Sequence, residues 1–153
     1  MVPMAAVSAD DTPLSGRIAG DIHILPIRVH WEDTDAGGIV YHASHLRFME
    51  RGRSEMLRVL GLDQTALLRE HQVNYVVARL EIDYRAPALF DMALRVQTSV
   101  ARLGRSRLDL RQIISHGEDL LADAFVRCAG IGGDGRPRAV PDSVRSLFGP
   151  MLK

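Results

Sequence analysis

From Ile22 to Trp31 apolar and polar side chains alternate, with Ile22, Ile24, Ile27 and Val29 supplying an apolar face. A period of two predicts a strand. Pro26 interrupts the alternation, and proline cannot donate to a ladder, so this strand is expected at an edge or bulged there. After a polar, glycine-containing loop the period changes. Leu46, Met49, Arg53, Met56, Leu57 and Leu60 recur at helical spacing, predicting one long helix from Ala43 to Leu60 with Gly61 closing its C-terminus. Asp63 is placed to cap a short second helix through Leu67, Leu68 and His71. The period of two then returns. Val73 to Tyr84 alternate loosely, through Val73, Tyr75 and Val77 and then Leu80, Ile82 and Tyr84. Three more strands follow, Met92 to Ala101, Arg107 to Ser115 and Leu120 to Ile131. The segments Leu103-Gly104-Arg105-Ser106, His116-Gly117-Glu118-Asp119 and Gly132-Gly133-Asp134-Gly135 read as turns. A last helical turn is expected at Ser143 to Phe148.

One strand, one long helix and four further strands in a meander imply an α+β layer domain. Its five-stranded antiparallel sheet is covered on one face by the helix. The other face, or an edge, is left for a partner subunit. Residues 1–21 are small and polar, with Pro3, Pro13, Gly16 and Gly20, and read as a disordered tail ahead of a single domain at 22–153.

Composition narrows the function classes. The 153 residues carry 19 basic and 19 acidic side chains, so bulk charge does not point to nucleic acid or an anionic membrane. Every basic residue except Lys153 is arginine. Cys128 stands alone in a predicted strand, which excludes a disulfide framework and a cysteine metal cluster and suggests a buried structural thiol. The N-terminus lacks the basic start and apolar core of a signal peptide, and no apolar run approaches the roughly 20 residues that span a bilayer. A soluble, cytoplasmic protein is expected.

Candidate chemistry gathers where the first strand hands over to the long helix. Asp33 and Asp35, the glycine pair Gly37-Gly38, and Tyr41-His42 all lie there. Aspartates favour turns, and both acids admit that reading. Their neighbours change the weighting. Glycine lets the backbone approach a ligand closely, and a helix N-terminus stabilises a developing oxyanion. A carboxylate beside these features is a candidate general base or nucleophile.

The run Glu32-Asp33-Thr34-Asp35-Ala36-Gly37-Gly38-Ile39-Val40-Tyr41-His42, followed by Phe48-Met49-Glu50-Arg51-Gly52-Arg53-Ser54-Glu55-Met56-Leu57, resembles the hotdog-fold acyl-CoA thioesterases. It looks most like the YbgC type, associated with the Tol–Pal cell-envelope system, within a wider group similar to the 4-hydroxybenzoyl-CoA thioesterases. The likeness runs from about Ile27 to about Pro141, with only the N-terminal tail added. It implies a hotdog fold, a five-stranded antiparallel sheet wrapped around one long helix. It implies hydrolysis of an acyl thioester to a free acid and a thiol, with coenzyme A thioester as substrate and no metal or redox cofactor.

The resemblance makes Asp35 the catalytic carboxylate, attacking the thioester carbonyl or activating a water. His42 becomes the helix-start residue whose backbone N–H polarises that carbonyl. Gly38 keeps the loop close to the acyl group, Tyr41 lines the pocket, and Asp33 holds the loop. Arg105, Arg136 and Arg138 match the basic turn and post-strand positions that hold nucleotide phosphates in the 4-hydroxybenzoyl-CoA branch. The resemblance also implies a homo-oligomer, a dimer formed by joined sheets and often a tetramer, with the site at the dimer interface. An acyl carrier protein or Tol–Pal-associated proteins are the further partners it suggests.

Other patterns lead nowhere. Gly130-Ile131-Gly132-Gly133-Asp134-Gly135 matches a dinucleotide fingerprint in letters only, because Arg136-Pro137-Arg138 follows where a helix must open. His42, His45 and Asp35 lack a fourth metal ligand. No G-x-S-x-G motif is present. Glu50, Arg51, Arg53 and Glu55 read as a solvated or subunit-contacting face, although Glu50 lies two helical turns beyond His42 and could point back at the site. His23, His30, His71 and His116 read as structural or exposed. Two other activities share the fold: enoyl-CoA hydration, whose acid and histidine sit further along in a different motif, and non-catalytic binding in an acyl-carrier or envelope complex.

Overall fold

A computed structural model describes residues 14–152. The strands are β1 (Arg17–Ala19), β2 (Ile22–Arg28), β3 (Val73–Tyr84), β4 (Ala93–Leu103), β5 (Arg107–His116) and β6 (Asp119–Gly132). The helices are α1 (His42–Val59), α2 (Gln64–His71) and α3 (Asp142–Arg145), with 3-10 turns at Trp31–Asp33 and Ser146–Met151. One antiparallel sheet has the order β1-β2-β4-β5-β6-β3. It wraps around α1, as the hotdog expectation requires.

The sheet differs from expectation in three respects. Part of the supposed tail is a sixth strand: β1 pairs with the start of β2, Arg17 opposite Ile24 and Ala19 opposite Ile22, while residues 1–13 lie outside the described region. Pro26 falls beyond the end of β1, where β2 has no outer neighbour and a missing N–H costs nothing. The start of β2 also buries the opposite face, since His23 and Leu25 are buried and Ile22 and Ile24 are half-exposed, whereas Val29 is buried as expected. Finally, β3 does not join a meander with β4. It pairs with β6 at the far edge, leaving β4-β5-β6 as the meander. Reaching that edge carries the chain past α1, which is what closes the sheet around the helix. The phase change in β3 is a bulge between Val77 and Arg79, so Tyr75 before it and Leu80 after it face the same way.

The face α1 buries is Ser44, His45, Phe48, Met49, Gly52, Arg53, Met56 and Leu57, with Leu46 only at its margin. Gly52 sets how closely the helix approaches: a Cβ there would lie 2.7 Å from Val96 Cγ1. Two apolar clusters result, one around Met56, Leu108, Val126 and Phe148, the other around Phe48, Met49, Val96 and Ile114. A polar layer separates them. Arg53 Nη1 donates to Gln112 Oε1 at 2.8 Å, and Gln112 Nε2 donates to the Met49 carbonyl at 2.9 Å and to Thr98 Oγ1 at 3.0 Å. The outer face of the sheet is lined with ion pairs, Arg107 and Arg127 on buried Asp109, and Arg111 on Asp123. The two guanidiniums hold the Asp109 carboxyl down at about 2 against the cost of burial. Cys128 is buried, and burial pushes its thiol up.

Candidate active site

The strand-to-helix connection is fixed by its own backbone. Asp33 is 4% exposed, and its carboxylate accepts the His30 N–H at 2.8 Å while its carbonyl accepts the Tyr41 N–H at 2.8 Å. It therefore holds the loop. The Asp35 N–H donates to the Ile39 carbonyl at 3.0 Å, and Gly38 N–H returns to the Asp35 carbonyl at 3.0 Å. Gly38 has φ +78°, a left-handed conformation that glycine adopts without strain and a Cβ disfavours. The Asp35 side chain is exposed, and one oxygen, Oδ1, accepts the Gly37 N–H at 2.8 Å. This Asx turn aims the carboxylate and leaves the other oxygen available.

The loop delivers the chain to the N-terminus of α1, where no side chain caps the helix. The contrast with α2 is direct, since Asp63 accepts the Thr65 and Ala66 N–H groups at 2.9 and 3.0 Å. The first turn of α1 keeps N–H groups and positive dipole available beside Asp35.

A cleft of about 480 Å³ opens there, lined by Asp35, Ile39, Val40, His42, His45, Tyr84, Arg85, Ala86 and Pro87. Asp35 and His42 thus share one cavity. Gly38 shapes the loop behind it. Tyr41 is outside that lining, exposed and tilted against the His42 ring with centroids 4.5 Å apart. Glu50 does not point back at the cleft. It is held by Arg53 and Ser54, at 2.6 and 2.9 Å, and lines a separate cavity of about 50 Å³ with Tyr75 and Cys128.

Arg105, Arg136 and Arg138 come together at one end of the sheet. Val140 N–H donates to the Arg105 carbonyl, Gly132 N–H to that of Arg136, and Arg138 N–H to Gly130, at 2.8, 2.9 and 2.8 Å. Asp35 is at the other end: Val29 pairs with Met92 just before β4, whereas Arg105 follows its last residue, Leu103. The length of β4, about 3.3 Å per residue, separates the two groups within one chain. Among the described residues no cluster of three or more His, Cys, Asp or Glu is placed to hold a metal ion.

Sequence reasoning missed two residues of the cleft. Tyr84, the last residue of β3, donates its hydroxyl to the His42 carbonyl at 2.7 Å and so ties the sheet to the start of α1. His45 is 3% exposed, and neither ring nitrogen has a hydrogen-bond partner among the described residues. Its ring meets Tyr84 edge-on at 5.1 Å. Spacing carried part of the signal, because His45 precedes the buried Phe48 and Met49 by three and four positions on the helix. Tyr84 carried none, since only the path of β3 brings it to α1.

Burial lowers the pKa of His45, and also that of His23, whose Nε2 lies 2.7 Å from the Ser15 carbonyl. The fold holds both rings neutral, and protons bind the unfolded chain better. Stability is therefore complete above the unfolded value of about 6.5 and falls as pH drops below it. The urea midpoint is expected to be lower at about pH 5.5 than at about pH 7.5, and His23→Gln/His45→Gln to flatten that difference. An unchanged slope in the double variant would contradict the assignment.

A sheet wrapped around one long helix, with an acid-bearing loop against that helix's N-terminus, is the hotdog fold. Residues 29–148 match the thioesterase-like superfamily. The chain belongs to that superfamily, in its YbgC type, and is a thioester hydrolase. The acyl-CoA thioesterase YbgC of Haemophilus influenzae is 41% identical over 125 residues, 81% of this chain and 92% of that protein. The acyl-CoA thioester hydrolase YbgC of Escherichia coli O6:H1 is 41% identical over 126 residues, 80% and 92% of the two chains. Among solved structures, a probable thioesterase from Bartonella henselae superposes with TM-score 0.75 at 41% identity, covering 78% of this chain and 99% of that one.

Proposed function

We propose that the chain hydrolyses acyl-CoA thioesters with Asp35 as its catalytic carboxylate. The observation that carries this reading is Asp35 and the uncapped start of α1 opening onto one cleft. The thioester carbonyl oxygen accepts the His42 backbone N–H, which stabilises the negative charge that grows there as the carbon becomes tetrahedral. Asp35 supplies the attack in one of two ways. Its oxygen adds to the carbonyl carbon, the C–S bond breaks, CoA leaves as thiolate, and water then hydrolyses the mixed anhydride. Alternatively it takes a proton from a water whose oxygen adds to the same carbon, and the departing thiolate takes the proton. Either route consumes one water, yields acid and thiol, and draws on no metal or redox cofactor. Gly38 keeps the loop backbone near the acyl carbonyl, and Tyr41 walls the approach.

Arg105, Arg136 and Arg138 hold the nucleotide phosphates in this reading, which guanidinium forks suit. Their distance from Asp35 within one chain favours a site shared between two copies. Because β3 is an open edge of the sheet, antiparallel pairing of two β3 strands brings the arginine end of one subunit to the Asp35 end of the other. We take the working assembly to be such a dimer, paired again as a homotetramer, in the cytoplasm. Among the described residues no helix is long and apolar enough to cross a membrane. An acyl carrier protein or envelope proteins of the Tol–Pal kind are the partners this reading allows.

Complementation tests the arrangement. Asp35→Asn and Arg136→Glu/Arg138→Glu subunits, each feeble alone, are co-expressed. Random dimers then carry one intact site in half of the population, restoring about a quarter of wild-type hydrolysis. Mixed dimers no better than either parent would rule out the shared site.

A further inference from the structure

The catalytic loop has a second flank that the mechanism does not use. On it stands Trp31, 75% exposed, with its ring stacked on Phe90, itself 41% exposed, at 4.1 Å between centroids. Ile39 and Leu89, also exposed, bridge the loop to the same segment. The two pairs are joined through the consecutive residues Leu89 and Phe90 and leave four apolar side chains exposed beside the loop, which we call the platform; exposed apolar surface of that kind in water marks a binding surface. Fraying does not account for its exposure. Trp31 opens a 3-10 turn closed by the His30–Asp33 hydrogen bonds, Val29 N–H donates to the Met92 carbonyl at 3.0 Å, and Asp91 N–H donates to that of Val29 at 3.0 Å. Arg28 adds a clamp by donating to the Asp91 carbonyl at 2.7 Å.

We propose that this platform is the acyl-chain subsite, and that the enzyme selects thioesters of medium to long aliphatic acids. The inference rests on the acyl-CoA reading above and deepens it. Continuity with the cleft is the first argument. Ile39 belongs to both the cleft and the platform, and its carbonyl accepts the Asp35 N–H. Two strand spacings, roughly 10 Å, lead from Asp35 through Ile39 to the segment carrying Phe90, within reach of an extended chain.

Polarity is the second argument. The two halves of the substrate differ, since the pantetheine arm carries amides and the acyl chain carries none. The cleft offers His42, His45, Tyr84 and Arg85 as polar partners, whereas the platform offers ring and aliphatic surface with the Trp31 indole N–H as the one polar group among its four side chains. Charge is the third. The rim holds Glu32 and Asp91 against Arg28, which gives an anionic bilayer or an acidic protein no basic surface to dock on.

The test is a chain-length series, acetyl- to dodecanoyl-CoA, on the full-length wild type, Trp31→Ala and Phe90→Ala. Thiol release is followed, with melting temperature and sedimentation on the same samples. Each methylene buried is worth up to about fourfold, so kcat/KM of the wild type is expected to rise at least tenfold from butanoyl to dodecanoyl even with the chain half buried. Each variant is expected to lose about tenfold on dodecanoyl-CoA and to stay within about twofold on butanoyl-CoA, folded and in the wild-type oligomer. A flat wild-type series overturns the proposal, as does an equal loss at every chain length. So does dissociation of the oligomer in the variants, which would make the platform a contact between copies. If the wild type cleaves no acyl-CoA of any length, the acyl-CoA reading itself fails, an outcome separable from a flat series.

Discussion

Asp35→Asn is expected to lower acyl-CoA hydrolysis by about 10³-fold, within the range that loss of a positioned proton-transfer group or nucleophile produces, with little change in melting temperature. The substitution isolates chemistry from structure. The asparagine oxygen can still accept the Gly37 N–H that Asp35 Oδ1 accepts at 2.8 Å, so the turn persists while the charge and the proton acceptor are gone. Asp35 is exposed and makes no ion pair among the described residues, so folding does not depend on its charge. The drop is expected in kcat, because the substitution leaves the cleft walls in place. Asp35→Ala removes the turn as well and is expected to be at least as poor. Free thiol release under saturating substrate measures both. Hydrolysis by both variants near the wild-type rate would remove Asp35 from the mechanism.

Arg53→Ala is expected to destabilise the fold by about 3 kcal/mol, the largest effect on stability of any polar side chain in the core. Arg53 lies on the buried face of α1 between the two apolar clusters. Its guanidinium bonds Gln112 on the sheet side and Glu50 on the solvent side. Truncation leaves the Gln112 oxygen unpaired in a buried layer and empties the volume of the stem. Replacing both partners, Arg53→Met with Gln112→Leu, is expected to recover part of the loss, because it refills the volume and removes the unpaired Gln112 oxygen, although Thr98 Oγ1 and the Met49 carbonyl lose the Gln112 donor. Urea midpoints of the wild type and both variants decide it. A double variant as unstable as Arg53→Ala would mean that the network specifies the core as well as satisfying itself.

The polar layer shows how partial a one-dimensional reading is. Spacing put Arg53 on the apolar stripe while its charge put it on a solvated face with Glu50, Arg51 and Glu55, and the structure buries it. Its partners Gln112 and Thr98 come from β5 and β4, and no local signal joins positions so far apart in the chain. His23 and Leu25 illustrate a different failure. Either face of β2 could be read as apolar, since Ile22 and Ile24 compete with His23, Leu25 and Val29, and the pairing of β2 with β4 settles which one meets the helix.

What the sequence determines by itself is what acts over a few residues. The periods of two and 3.6 placed β2 to β6 and α1 and α2 within a few residues. The Asp63 cap is local chemistry, as is the Asp-x-Asp-x-Gly-Gly turn that presents Asp35, so both were legible. Tertiary structure decided everything that needs the chain to return on itself. It sent β3 to the far edge beside β6, brought Tyr84 onto the His42 carbonyl, buried His45 edge-on against the Tyr84 ring and stacked Trp31 on Phe90. It also put Arg105, Arg136 and Arg138 a strand's length away from the acid they were expected to serve. The physical reason is the same in each case. Turns and helices are set by bonds between near neighbours, whereas which strand closes around the helix depends on burying apolar surface over the whole chain.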